Sequence, residues 1–201
     1  MIITFNIKTA LRNEVADLMR QPKYDKFSIF WAGRMNTGSK RVEKVIEMCE
    51  KFFMLGNDVK STFTCPSGGS FWMPRRKHHP SIEFRFKVGR EDYLPEFGRH
   101  DVWLNASIYE GFSATVAEQL SSGIPGLLPR EPWVRGMLAD FYDEYPFLYD
   151  GVTEGLVLLD WIYNNKAEAN AKAAVVKDYV WSHWDVSVVL ERVAKIAESL
   201  V

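Results

Sequence analysis

Two loops of this 201-residue chain carry side chains suited to holding an anionic, hydroxyl-rich molecule. In Tyr109-Glu110-Gly111-Phe112-Ser113-Ala114-Thr115-Val116-Ala117-Glu118 two carboxylates stand eight residues apart. The stretch follows an apolar run and leads into a helical pattern, so both can face one cleft at different depths. Backbone N–H groups of Gly111, Phe112 and Ser113 at a helix start suit a diphosphate, because the first turn leaves its donors unpaired. The second loop, Gly33-Arg34-Met35-Asn36-Thr37-Gly38-Ser39-Lys40, combines glycines that let the backbone approach a ligand with two cations that neutralise charge. Each feature also has a plainer reading: an exposed cationic turn, a solvated helix position at Glu118, and a carboxylate at Glu110 favoured by the helix dipole. The Walker pattern GxxxxGK[ST] and the dinucleotide fingerprint GxGxxG are both absent.

The elements that must position these residues alternate between strand and helix. Residues 28–33 form an apolar, aromatic run closed by Gly33, as expected of a parallel strand covered on both faces. From 40 to 55, Val42, Val45, Ile46, Met48, Cys49, Phe52 and Phe53 recur at helical spacing, and Gly56-Asn57 ends the pattern. Strands are expected at 59–64, 82–88, 101–105, 124–128 and 147–149. Helices are expected around 92–97 and over 112–122, 133–145, 153–163, 166–181 and 184–200. The fold class this predicts is α/β: a single doubly wound, Rossmann-like parallel sheet with helices on both faces. Residues 1–26, read as a strand at 2–7 and a helix at 9–20, form an N-terminal extension ahead of a domain spanning 27–201. Residues 65–80, rich in proline and glycine, are expected to be an irregular loop.

Composition narrows the field. The balance of 25 basic and 26 acidic residues gives a formal net charge of -1 and no general attraction to nucleic acid or anionic lipid. The basic cluster Arg75-Arg76-Lys77-His78-His79 reads as a solvated loop, with nucleic acid or an acidic acceptor as the alternative. The apolar runs are too short to span a membrane and the first residues lack a signal-peptide pattern, so a cytoplasmic location is expected. Cys49 and Cys65 read as free thiols, and Trp31, Trp103 and Trp161 as core.

With these residues in view, the stretch Asn105-Ala106-Ser107-Ile108-Tyr109-Glu110-Gly111-Phe112-Ser113, followed by Glu118-Gln119-Leu120-Ser121-Ser122-Gly123-Ile124-Pro125, resembles a known signature. It is similar to the donor-site motif of GT-B glycosyltransferases in the retaining, glycogen-synthase-like superfamily of group 1 enzymes. Gly33-Arg34 with Lys40 resembles the family's Gly-Arg and Lys pair. Phe86-Lys87-Val88-Gly89 falls where the family has a strand and glycine near the base, and Trp181-Ser182-His183-Trp184 resembles its closing helix. The resemblance covers about residues 27–185.

The resemblance implies a C-terminal-type GT-B domain that binds a nucleotide-diphosphate sugar, a UDP-sugar being favoured, for retaining, metal-independent transfer without a cofactor. It implies that Glu110, Arg34 and Lys40 act at the reacting centre, Glu110 toward the sugar and the two cations on the diphosphate. Glu118 would hold the ribose, with Gly111, Phe112, Ser113, Gly33 and Val88 completing the donor site. An acceptor-binding domain or separate chain is the implied partner. The alternatives are a non-catalytic nucleotide-sugar-binding scaffold, or a compact complete transferase acting on a polymer such as nucleic acid through the 75–79 loop. The chain departs from the pattern in a slightly longer Arg-to-Lys loop and in Arg41, which stands where a glycine commonly follows the lysine.

Overall fold

The computed structural model describes residues 21–35, 37–67, 78–111 and 113–184, with positions 188, 191, 194, 195 and 198. The expected elements at 2–7 and 9–20, the cations Arg75, Arg76 and Lys77, and Phe112 lie outside the described residues. So does most of the 184–200 segment.

Among the described residues, six strands form one sheet: β1 (Phe27–Ala32), β2 (Val59–Cys65), β3 (Ile82–Phe86), β4 (Val102–Leu104), β5 (Gly126–Pro129) and β6 (Leu148–Tyr149). Their order is β3-β2-β1-β4-β5-β6 and all five pairings are parallel. The helices are α1 (Thr37–Lys40), α2 (Val42–Met54), α3 (Arg90–Gly98), α4 (Ala114–Leu120), α5 (Pro132–Leu138), α6 (Gly151–Asn164) and α7 (Lys166–Trp184). A 3-10 turn, Ala139–Glu144, follows α5.

Successive side chains of a strand point to opposite faces, and β1 shows how this makes two layers of helix. Phe27 packs toward Phe52 of α2 and Tyr163 of α6, at ring-centroid distances of 6.0 and 5.1 Å. Phe30, on the other face, packs against Tyr93 and Phe97 of α3 at 5.7 and 5.3 Å. Trp31 and Trp103 are fully enclosed, and Trp161 packs partly buried against the core. Cys49 and Cys65 are buried and unbridged. No described helix is long and apolar enough to cross a membrane.

Two helices differ from the periodicity reading. The helix expected over 40–55 is interrupted at Arg41, whose φ of 44° lies in the left-handed region, so α1 ends at Lys40 and α2 starts afresh at Val42. The helix expected over 133–145 stops at Leu138, and Ala139 takes φ 48°. The Leu138 carbonyl, which a continuing α-helix would bond to the Tyr142 N–H, accepts instead from the Tyr179 hydroxyl of α7 at 2.8 Å. Phe141 then stacks on Tyr179 with ring centroids 4.6 Å apart.

A buried carboxylate links the segment before β1 to the edge strand β3. Glu96, buried on α3, accepts from the Tyr24 hydroxyl at 2.6 Å and pairs with Arg85 of β3 at 2.7 Å. The segment entering β1 is thereby tied to the edge of the sheet.

Candidate functional site

The strand order reverses direction between β1 and β4, and in an open parallel sheet this leaves a crevice outside the carboxyl ends of those two strands. The loop after β1 holds Gly33, Arg34 and Lys40, and the loop after β4 holds Glu110 and Gly111. Sequence alone leaves open whether they meet. They line one cleft of about 640 Å3, together with Ser113, Glu118 and Val88. That volume falls within the ordinary range of small-molecule sites, roughly 300–1,000 Å3.

Each wall is fixed by local bonding. Gly33 leaves β1 with its N–H on the Thr64 carbonyl of β2 at 3.1 Å. The β1 loop is then stitched to the β4 loop by the backbone bond from Ile108 N to Ser39 O at 2.8 Å. After β4, Asn105 turns the chain: its Oδ1 accepts from Ser107 N at 2.8 Å, and its carbonyl accepts from the Tyr149 hydroxyl at 2.7 Å. Trp133 of α5 donates its indole N–H to the Ser107 carbonyl at 2.8 Å. Ser113 caps α4, accepting from Val116 N at 3.4 Å, so the helix starts at Ala114 rather than at 112.

Two ion pairs stand in the cleft. Lys40 forms an ion pair with Glu110 across the two loops, and the Glu110 side chain retains only 11% of its exposure. Arg90, the first residue of α3, pairs through Nε with Glu118 Oε1 at 3.1 Å. Burial raises the Glu118 carboxyl above the usual carboxylate range, and Arg90 opposes that rise. Arg34 is exposed and makes no ion pair among the described residues. A Cβ built on Gly111 or Gly38 would stand in open space, so both glycines leave room beside the backbone. Tyr109 stands exposed at the lip.

Arg41 turns away from this cleft. Its guanidinium reaches Glu131 at 3.5 Å, beside a smaller cavity of about 180 Å3 at the ends of β5 and β6. The left-handed backbone at Arg41 is the conformation a glycine adopts without strain, which fits the place where the resembled motif has glycine, and it leaves Lys40 as the cation aimed at Glu110.

Arg90 and Tyr93 also line the cleft, and neither stood out in the sequence. The available signal was Gly89: an arginine directly after a glycine that closes a strand and opens a helix lies at the carboxyl rim of the sheet. Of the histidines in the basic cluster, His78 meets Glu50 at 3.3 Å and His79 stacks on Phe53, away from the cleft. Among the described residues no three His, Cys, Asp or Glu side chains group as a metal site.

No family model matches the sequence, and no curated protein does. Solved structures do match the fold. One is the C-terminal domain of LpcC, a group 1 family glycosyl transferase from Francisella tularensis: TM-score 0.62, 16% identity, 87% of this chain on 93% of that one. The fold is that of a GT-B glycosyltransferase C-terminal domain. A glycosyltransferase from Rickettsia africae matches this chain at TM-score 0.69 and 14% identity, over 96% of this chain and 52% of its own. HepE from Anabaena, solved in complex with UDP and glucose, matches at TM-score 0.66 and 13% identity, over 98% and 55%. The chain spans between 36% and 52% of the length of several longer glycosyltransferases that share its fold.

Proposed function

We propose that the chain is the donor-binding half of a retaining, metal-independent glycosyltransferase, which takes a nucleotide-diphosphate sugar and meets an acceptor held by another domain or chain. The observation that carries this reading is the meeting of the β1 and β4 loops in one cleft, which Arg34, Lys40, Glu110 and Glu118 line together. A nucleotide sugar needs that combination of cations for its diphosphate and carboxylates for its hydroxyls.

In this reading the Lys40–Glu110 pair separates when donor binds. Lys40 moves from Glu110 to the diphosphate, where Arg34 joins it, and Glu110 is released to accept from sugar hydroxyls. Glu118 accepts from the ribose, and the amides of Gly111 and Ser113, just ahead of α4, add phosphate contacts. Charge builds on the diphosphate as the glycosidic bond breaks, and fixed cations in a partly enclosed cleft favour that charge in the transition state. The HepE structure with UDP and glucose supports a uridine donor by fold likeness.

Thermal melting in the presence of UDP-, GDP- and ADP-sugars tests the reading. One of them should raise the melting temperature by about 5–10 °C at a hundredfold excess over its Kd, by mass action. A melting temperature unmoved by all three would overturn it.

A further inference from the structure

The donor-site reading leaves Arg90 without a role, although its side chain reaches from α3 across the end of the cleft to Glu118 of α4. We propose that Arg90 is a positioning residue for Glu118: it holds one carboxylate oxygen, Oε1, and leaves the other for the ribose hydroxyls of the bound nucleotide. This proposal rests on the donor-site reading.

The geometry is specific. A glutamate side chain has three rotatable torsions, and the Nε to Oε1 bond of 3.1 Å fixes where its carboxylate sits. Glu118 retains 22% of its side-chain exposure, so it is partly out of water, whereas Arg90 is about half exposed and reaches in from the rim. The groups around Glu118 leave Arg90 as its immediate counterion. Tyr93, on the same helix as Arg90, is a phenol held neutral by burial and by the Glu118 charge itself. The cleft's other charged groups include Arg34, Lys40 and Glu110, and there Lys40 is taken up by Glu110.

The consequence is a dependence on pH that ordinary structural support would not produce. Burial alone favours the neutral acid at Glu118, and Arg90 counteracts it. Without Arg90 the carboxyl rises further, and lowering the pH protonates it. A neutral acid accepts a hydroxyl hydrogen bond more weakly than a carboxylate does.

The test is calorimetric binding of whichever of UDP-glucose, GDP-glucose or ADP-glucose shifts the wild-type melting temperature, at about pH 8 and about pH 6. The diphosphate of these sugars is a diester and does not titrate in that window. Arg90→Met should bind several-fold more weakly than wild type and lose further affinity on going to the lower pH, a loss that wild type and Arg90→Lys do not share. Should Arg90→Met melt early, Arg90→Gln is read the same way. A variant profile parallel to wild type, or tighter binding in the variant, would refute the role of Arg90 while leaving the donor site standing. Failure of the wild type to bind any of the three sugars would overturn both.

Discussion

Arg34 and Lys40 are both cations of the β1 loop, yet the structure predicts that removing them will have different effects. Arg34 is exposed and has no ion-pair partner among the described residues. Arg34→Ala therefore leaves nothing orphaned, and its effect on stability should stay within about 0.5 kcal/mol, a shift of roughly 1–2 °C. Lys40→Ala strips the counterion from Glu110, a carboxylate with 11% of its exposure left, and should remove about 1–3 kcal/mol, or roughly 2–10 °C. On binding, the order of severity no longer follows stability. Charge-assisted bonds to a diphosphate contribute about 1.5–3 kcal/mol, so Arg34→Ala should weaken nucleotide-sugar binding by about 10- to 150-fold despite a normal melt. Calorimetric titration beside a thermal melt separates the two effects. Wild-type affinity in Arg34→Ala would refute the diphosphate assignment. A Lys40→Ala protein as thermally silent as Arg34→Ala would refute the claim that Glu110 depends on its partner.

Two further predictions concern the frame beneath the site. A Cβ on Gly126, at the start of β5, would fall 1.9 Å from Trp103 Cε2, and Trp103 is fully buried with its indole N–H on the Ile124 carbonyl at 3.0 Å. Gly126→Ala should therefore cost about 2–4 kcal/mol through overpacking and a strained hydrogen bond, lowering the melting temperature by roughly 5–15 °C; a drop under about 2 °C would contradict the packing. His100 is fully buried, bonded through Nδ1 to the Glu96 carbonyl at 2.8 Å, and desolvation lowers its pKa to about 4. The unfolded chain takes up this proton below pH 6.5 and the folded one only near 4. Stability is therefore full above 6.5 and declines as pH falls through that window, by roughly 3 kcal/mol in all. Urea midpoints measured from pH 7 to about 4.5 should show the decline, with a shallower slope in His100→Leu.

The alternation of apolar runs and helical spacing made the α/β class and most strands legible, because strand and helix periods are local properties of the chain. The same locality explains what stayed hidden. The order of the strands depends on pairings such as Phe30 with Trp103, 73 residues apart, and no window of sequence contains both partners. At the early stop of α5 the Leu138 carbonyl meets the hydroxyl of Tyr179, 41 residues later. The β4 loop announced itself because glycine, serine and two glutamates follow an apolar run, and its expected residues line the cleft, apart from Phe112, which lies outside the described residues. Arg90 gave no such sign, since its meaning comes from the distance its side chain crosses between two helices. Likewise, nothing in the spelling of the β1 loop shows that Arg41 takes a left-handed backbone while Lys40 reaches Glu110.

The backbone bond between Ser39 and Ile108 has a mechanical meaning. It ties the two lips of the crevice together at one point, so a shift of either backbone there bears on its neighbour. Substitutions on opposite lips should then interact rather than add, and improving the grip on one end of a ligand will disturb alignment at the other. Any engineering of this crevice must treat both lips as one part.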